Sequence, residues 1–128
     1  MELGIKGAAE VSVAYENTAA AVGSGSLEVF STPSMVALME KAARTSVQPY
    51  LEEGQSTVGT RLEISHLAAS PIGASIRAES ELVEIDRRML TFEVKAFADG
   101  ELIGEGRHQR CIISVERFME KALAKQKK

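Results

Sequence analysis

Thr32, Glu40 and His66 are residues able to attack an electrophile or move a proton, and each sits where its surroundings do not call for it. Thr32 opens a helix-like stretch, where a hydroxyl lies at the positive end of the helix dipole; the plain reading is an N-cap. Glu40 falls about 100° round the helix from Met39, beside Val36, Ala43 and Val47, so it flanks the apolar face. Its plain reading is a boundary residue pairing with Arg44 one turn on. His66 lies on the apolar face of a strand, where a lone histidine is usually a hydrogen-bonded core residue. Together the three types supply a hydroxyl, a carboxylate and an imidazole, which suits nucleophilic and general acid–base chemistry. Eight helical residues from Thr32 to Glu40 span ~12 Å, and an antiparallel sheet can bring His66 beside either, so all three could line one cleft.

The elements that must position them follow from periodicity. Val11, Val13 and Tyr15 alternate within a first strand over Gly7–Tyr15, and the small residues of Ala19–Ser26 read as a mobile loop, followed by a short extended Leu27–Phe30. From Thr32-Pro33 the period becomes 3.6. Met35, Leu38, Met39, Ala42, Ala43, Val47, Tyr50 and Leu51 share a face opposite Ser34, Lys41, Arg44 and Gln48, and Pro49 should end or bend the helix. Val58, Thr60, Leu62, Ile64, His66 and Ala68 then alternate as one strand face. Pro71–Gly73 supplies a turn, Ala74–Ile85 changes parity as though bulged near Leu82, and Asp86–Arg88 turns into a strand from Leu90 to Ala98. Asp99-Gly100 is a hairpin signal before a last strand at about 101–115. A final helix from Glu116 should turn Phe118, Met119, Ala122 and Leu123 inward, and Lys125–Lys128 reads as a solvated, frayed end.

A strand, a long helix and a meander of strands make an α+β domain in which the helix covers the sheet's apolar face. The hotdog fold has this arrangement, a sheet wrapped around a central helix. A cystatin-like cone, the competing topology, normally carries more helix before the sheet. With 128 residues and 13.8 kDa the chain fits one domain over 1–128, and 45% hydrophobic with 26% charged residues is an ordinary globular composition. A net charge of −3, a pI near 5.5, 5% aromatic residues and no Trp give no electrostatic drive or stacking platform for nucleic acid. The N-terminus lacks a signal-peptide pattern and no apolar run approaches ~18 residues, so a cytoplasmic protein without a membrane partner is expected. Cys111, the sole cysteine, excludes an internal disulfide and reads as a small buried hydrophobe. Two histidines without metal-ligand spacing make a metal site unexpected, and Gly104-Glu-Gly106 lacks the features of a phosphate loop.

Thr32, Glu40, Gly59 and His66, in the contexts Ser31-Thr-Pro-Ser-Met-Val-Ala-Leu-Met-Glu40 and Glu63-Ile-Ser-His-Leu67, resemble the hotdog thioesterases related to fluoroacetyl-CoA thioesterase. Gly104-Glu-Gly-Arg-His-Gln-Arg110 and Arg117-Phe118 are similar to that family's last strand and terminal helix, so the resemblance covers nearly the whole chain. It implies a catalytic triad of Thr32, Glu40 and His66 and places Gly59 at the acyl pocket. The departure is Gly23-Ser-Gly-Ser26, where the fluoroacetyl-selective enzyme carries an aromatic lid, so no strong fluoroacetyl preference is expected.

Thioester cleavage needs a nucleophile or activated water, a proton shuttle and donors for the developing oxyanion. His66 suits the shuttle, with a reference pKa near 6.5. Glu40 could orient His66, activate water or attack the carbonyl, and Thr32 could position the thioester or attack it. Gly59 would admit the acyl group or mark a β-bulge. His108, with Arg110 beside it, reads as part of a solvated polar strand or as a contact to the CoA phosphates. The expectation is an acyl-CoA thioesterase needing no cofactor, coenzyme A being part of the substrate, and forming a homodimer or a tetramer of dimers through edge-to-edge sheets. A non-catalytic acyl-thioester-binding module and a hotdog dehydratase are the alternatives.

Overall fold

The computed structural model describes residues 1–127, and Lys128 lies outside the described residues. Five strands form one antiparallel sheet: β1 (Lys6–Ser12), β2 (Gln55–His66), β3 (Ser75–Asp86), β4 (Met89–Ala98) and β5 (Glu101–Ser114), in spatial order β1-β3-β4-β5-β2. A single helical turn, α1 (Ala19–Val22), and the long α2 (Thr32–Val47) precede β2, and α3 (Val115–Ala124) follows β5. This is the expected hotdog arrangement. The inner face of α2 supplies Met35, Leu38, Met39, Ala42, Ala43 and Val47 to a core completed by Ile76, Ala78, Leu82, Leu90, Phe92, Val94 and Ala96 from the sheet. Burying a side chain the size of Met39 or Phe92 contributes roughly 1.5–3 kcal/mol, which is what holds the sheet curved on the helix.

Local chemistry explains the boundaries. Pro49 ends the α-helical hydrogen bonding as expected: α2 stops at Val47 and a 3₁₀ turn covers Gln48–Tyr50. Asp99 and Gly100 both take positive φ, 48° and 87°, the requirement of a two-residue hairpin turn. The expected bulge shifts the β3–β4 register between Leu82 and Glu84. Beginning at Met89, β4 follows a turn in which Arg87 has a φ of 58°.

Several expectations are corrected. β1 ends at Ser12, because Val13 leaves the sheet to bond Ala74 and a 3₁₀ turn occupies Tyr15–Asn17. The stretch expected as a mobile loop contains α1, capped by the Thr18 side chain at one end and left-handed Gly23 at the other. Ser31 rather than Thr32 is the N-cap of α2, its hydroxyl accepting from the Ser34 amide at 3.1 Å. A second bulge, between Gly59 and Arg61, resets the parity of β2. Thr57 is buried and Thr60 exposed, the reverse of simple alternation, and Gly59 pairs with Arg110 while Leu62 pairs with His108. Phe118, Met119 and Leu123 of α3 do not turn inward: they are 43%, 46% and 57% exposed. Lys125–Lys127 form a 3₁₀ turn. No described helix is long and apolar enough to cross a membrane.

Candidate active site

With Ser31 performing the cap, Thr32 is the first residue of α2 and its hydroxyl is released from capping. It lies 2.7 Å from His66 Nδ1, at the end of β2. Burial holds His66 below its ordinary pKa, partly offset by the backbone of Ala68. The imidazole is therefore neutral at pH 7. Nδ1 faces Thr32, and Nε2 is buried without a hydrogen-bond partner among the described residues. A proton on Nε2 leaves the Nδ1 lone pair for the Thr32 hydroxyl, the pairing of a nucleophile with its general base. The two residues line an open cleft of about 360 Å³ with Ala19, Val29, Phe30 and Leu67. Polar and apolar groups share its walls almost evenly, and Ala19 and Ser24 bring the α1 segment into its lining.

Glu40 belongs to a different constellation. Two turns further along α2, its Oε2 accepts from Arg110 Nη1 at 3.2 Å, and the side chain is 40% exposed. Arg110 is 5% exposed. Its Nε and Nη2 donate to Thr57 Oγ1 and to the Thr57 carbonyl at 2.8 and 3.0 Å, and Nη1 also donates to His108 Nε2 at 3.1 Å. Desolvation lowers the Arg110 pKa, and the charge of Glu40 opposes that shift. His108 Nδ1 lies 2.8 Å from the Arg61 carbonyl. His108, too, is held below its ordinary pKa, by burial first, with the Arg61 carbonyl and Glu40 acting upward and Arg110 downward. Gly59 lies over the carboxylate: a Cβ there would stand 2.6 Å from Glu40 Oε2 and 3.2 Å from His108 Cε1.

The three sequence-derived residues thus do not meet as one cluster within a chain. Thr32 and His66 pair directly, and Glu40 joins Arg110, His108 and Gly59 roughly 12 Å along the helix. The solvated-strand reading of His108 and Arg110 is replaced by burial, which also leaves neither residue an exposed nitrogen to offer a phosphate within the single chain. Sequence reasoning missed Thr57 altogether. Its signal was present as a polar residue two positions before a strand glycine, but it surfaces only once the bulge is known.

Comparison with known proteins identifies the lineage. The family model for fluoroacetyl-CoA-specific thioesterases matches residues 13–116. The chain belongs to that family. A fluoroacetyl-CoA thioesterase from Streptantibioticus cattleyicolor is 39% identical over 98 residues, which is 77% of this chain and 70% of the relative. A variant of the fluoroacetyl-CoA-specific thioesterase solved with fluoroacetate and CoA superposes with a TM-score of 0.87 at 32% identity, covering 92% of this chain and 99% of the other. A thioesterase superfamily member from Thermus thermophilus gives a TM-score of 0.88 at 29% identity over 98% of this chain and 93% of the other. All but the first 12 and last 12 residues lie within the family match, so both halves of the candidate site fall inside it.

Proposed function

We propose that this thioesterase-family protein hydrolyses an acyl-CoA thioester to the free acid and CoA, with Thr32, His66 and Glu40 as its catalytic residues. The observation that carries the reading is the 2.7 Å approach of the Thr32 hydroxyl to Nδ1 of a neutral, half-buried histidine at the mouth of a cleft. Thr32 Oγ attacks the thioester carbonyl as its proton passes to His66. The N-terminal dipole of α2 favours the negative charge that develops there. The C–S bond breaks, CoA leaves with the proton from His66, and water deprotonated by His66 cleaves the acyl-threonine ester. The smaller, aromatic-free α1 segment favours acyl groups other than fluoroacetyl. CoA enters as part of the acyl-CoA substrate and leaves as product, no further cofactor takes part, and such a substrate suits a cytoplasmic enzyme.

Glu40 completes the site from a second chain. β2 is an edge strand with its outer hydrogen-bonding edge free. An antiparallel pairing of two β2 strands centred on Leu62 sets Arg61 of each opposite Glu63 of the other, a favourable cross-strand charge pair. The same register brings Gly59, with Glu40 beneath it, level with Ser65 and His66 of the second copy. It also carries the exposed apolar side chains of α3, whose first amide bonds Gly54 just ahead of β2, toward exposed Leu67 just beyond β2 of the other copy. A homodimer, alone or doubled into a tetramer, follows.

Thiol release over short, branched and aromatic acyl-CoAs, with fluoroacetyl-CoA and acetyl-CoA compared, tests the reading. His66→Ala and Glu40→Ala should each lower kcat by about 10²–10⁴-fold in a folded dimer. Mixing and re-equilibrating the two inactive variants should restore about a quarter of wild-type activity, because half the dimers are hybrids with one intact shared site. No recovery in proven hybrids would place Glu40 and His66 in the same chain's site. Wild type that binds acyl-CoAs without releasing thiol would favour a binding module.

A further inference from the structure

We propose that His108 is a positioning residue: its neutral imidazole, fixed as the Nδ1–H tautomer, holds the Arg110 guanidinium in the one orientation that aims Glu40 into the site. A guanidinium has only donors, so the 3.1 Å contact from Arg110 Nη1 makes His108 Nε2 an acceptor and leaves the ring proton on Nδ1. There it donates to the Arg61 carbonyl at 2.8 Å. Each ring nitrogen therefore has one partner of the correct polarity, and a 2% exposed histidine is fully satisfied without water.

Arg110 reads the other side of this arrangement. Four of its five N–H groups are engaged: one by Thr57 Oγ1, one by the Thr57 carbonyl, one by His108 and one by Glu40. The last two share Nη1. Its two hydrogens point 120° apart in a rigid plane, so fixing one on the imidazole fixes the direction of the other. That second hydrogen meets Glu40 Oε2, which lies 3.9 Å from His108 Nε2, too far for a bond of its own. His108 thus touches no reacting atom and acts through Arg110. Glu40, 40% exposed on a flexible stem, has Arg110 as its only side-chain hydrogen-bond partner among the described residues, and losing that direction would let it swing toward solvent. The missing side chain of Gly59 leaves the space that this carboxylate occupies.

The role rests on the thioesterase reading for its kinetic readout and on geometry alone for its spectroscopic one. Two amide substitutions separate the ring nitrogens, since asparagine reaches the Nδ1 position and glutamine the Nε2 position. In the dimeric enzyme His108→Asn keeps the donor to Arg61 and loses the acceptor for Arg110; His108→Gln keeps an acceptor for Arg110. The expected result is a fall of 10- to 100-fold in kcat with KM within about twofold for His108→Asn, and a kcat within a few-fold of wild type for His108→Gln. In a Glu40→Gln background the asparagine substitution should have almost no further effect, because the two residues act as one unit. Equal losses in both amides, or an undiminished loss in the Glu40→Gln background, would overturn the proposal. Nitrogen-15 NMR of the wild-type imidazoles supplies an activity-independent arm: with only two histidines, His108 should show a protonated Nδ1 and a bare Nε2 at pH 7. The opposite tautomer would overturn it even in a fully active enzyme. A wild type inactive on every acyl-CoA would count against the thioesterase reading while leaving the NMR result to decide the geometry.

Discussion

The two ends of the candidate site lie at the N-terminus and at the midpoint of α2, and they solve opposite problems. At its N-terminus the Thr32–His66 pair is sparsely supported: one 2.7 Å contact, a buried Nε2 without a fully formed bond, and a cleft open to solvent. Two turns on, Arg110 is locked by contacts to Thr57, His108 and Glu40 and is almost wholly buried. Groups that change protonation need a poised, loosely satisfied environment, whereas a group that directs a carboxylate needs an over-determined one. Substitutions should therefore act on rate at the first end, and on stability as well as rate at the second.

The largest effect should follow Arg110→Met. Removing one partner of a buried, hydrogen-bonded charge network typically costs about 3–5 kcal/mol, because Thr57, His108 and Glu40 lose their donors together. Denaturant unfolding checks it, and a loss below about 1 kcal/mol would show the network to be decorative. Arg110→Lys should recover little, since an ammonium cannot reproduce the four planar contacts.

Gly59→Ala sharpens the same end. Its Cβ would come within 2.6 Å of Glu40 Oε2 and 3.2 Å of His108 Cε1, so the carboxylate must move. We expect kcat to fall by about 10-fold or more with a stability change of roughly 1–2 kcal/mol, as for other overpacking substitutions. Measured kcat together with the melting midpoint checks it, and wild-type kcat would mean that Glu40 needs no fixed place.

At the other end, Thr32 and Ser31 should separate chemistry from capping. Ser31→Ala removes the N-cap oxygen and should cost ~1 kcal/mol. Thr32→Ala should leave stability nearly unchanged and slow thiol release by 10²-fold or more, as expected of a lost nucleophile. Thr32→Ser should retain much more activity than Thr32→Asn. A drop in stability for Thr32→Ala equal to that of Ser31→Ala would restore the capping role to Thr32.

That pair also shows what a sequence can and cannot disclose. Ser31 and Thr32 are adjacent hydroxyl residues before a proline, and both fit a helix start, so pattern alone cannot say which caps and which is free. The apolar periods of α2, the Asp99-Gly100 hairpin and the Leu82 bulge are local signals, and the structure bears them out. The bulge reading of Gly59 is borne out, but the parity change is not legible in the pattern, because Val58 and Leu62 are apolar on either side of it and the hydrophobic alternation continues unbroken. Burial of Arg110 was hidden for a different reason: its partners Thr57 and Glu40 lie 53 and 70 residues away, so the strand reads as charged and solvated until the sheet closes. The α3 side chains show a related gap, since an amphipathic helix announces an apolar face without saying whether its own sheet covers it, and here Phe118, Met119 and Leu123 stay exposed.

The smallest effect is a pH dependence shared by both ends. Burial lowers the pKa of His66 and of His108, so each resists protonation in the folded chain more than in the unfolded one. The unfolded state binds more protons in the window from about 6.5, the reference value, down to the depressed folded values. Stability is therefore fully present above pH 6.5, declines as pH falls through that window, and stops declining from this cause below it. The two ends should differ in consequence. Protonating His66 removes the acceptor for Thr32, so kcat should also fall on the acid side, with its midpoint below 6.5. Protonating His108 removes the acceptor for Arg110 and should lower stability and kcat together, so His108→Gln, which cannot titrate, should flatten the His108 share of the stability decline while leaving the His66 acid limb of kcat in place. Melting midpoints and kcat from pH 5 to 8 for wild type and His108→Gln check this, and an acid limb that disappears in the glutamine variant would mean that the rate-controlling proton sits on the buried network rather than beside Thr32.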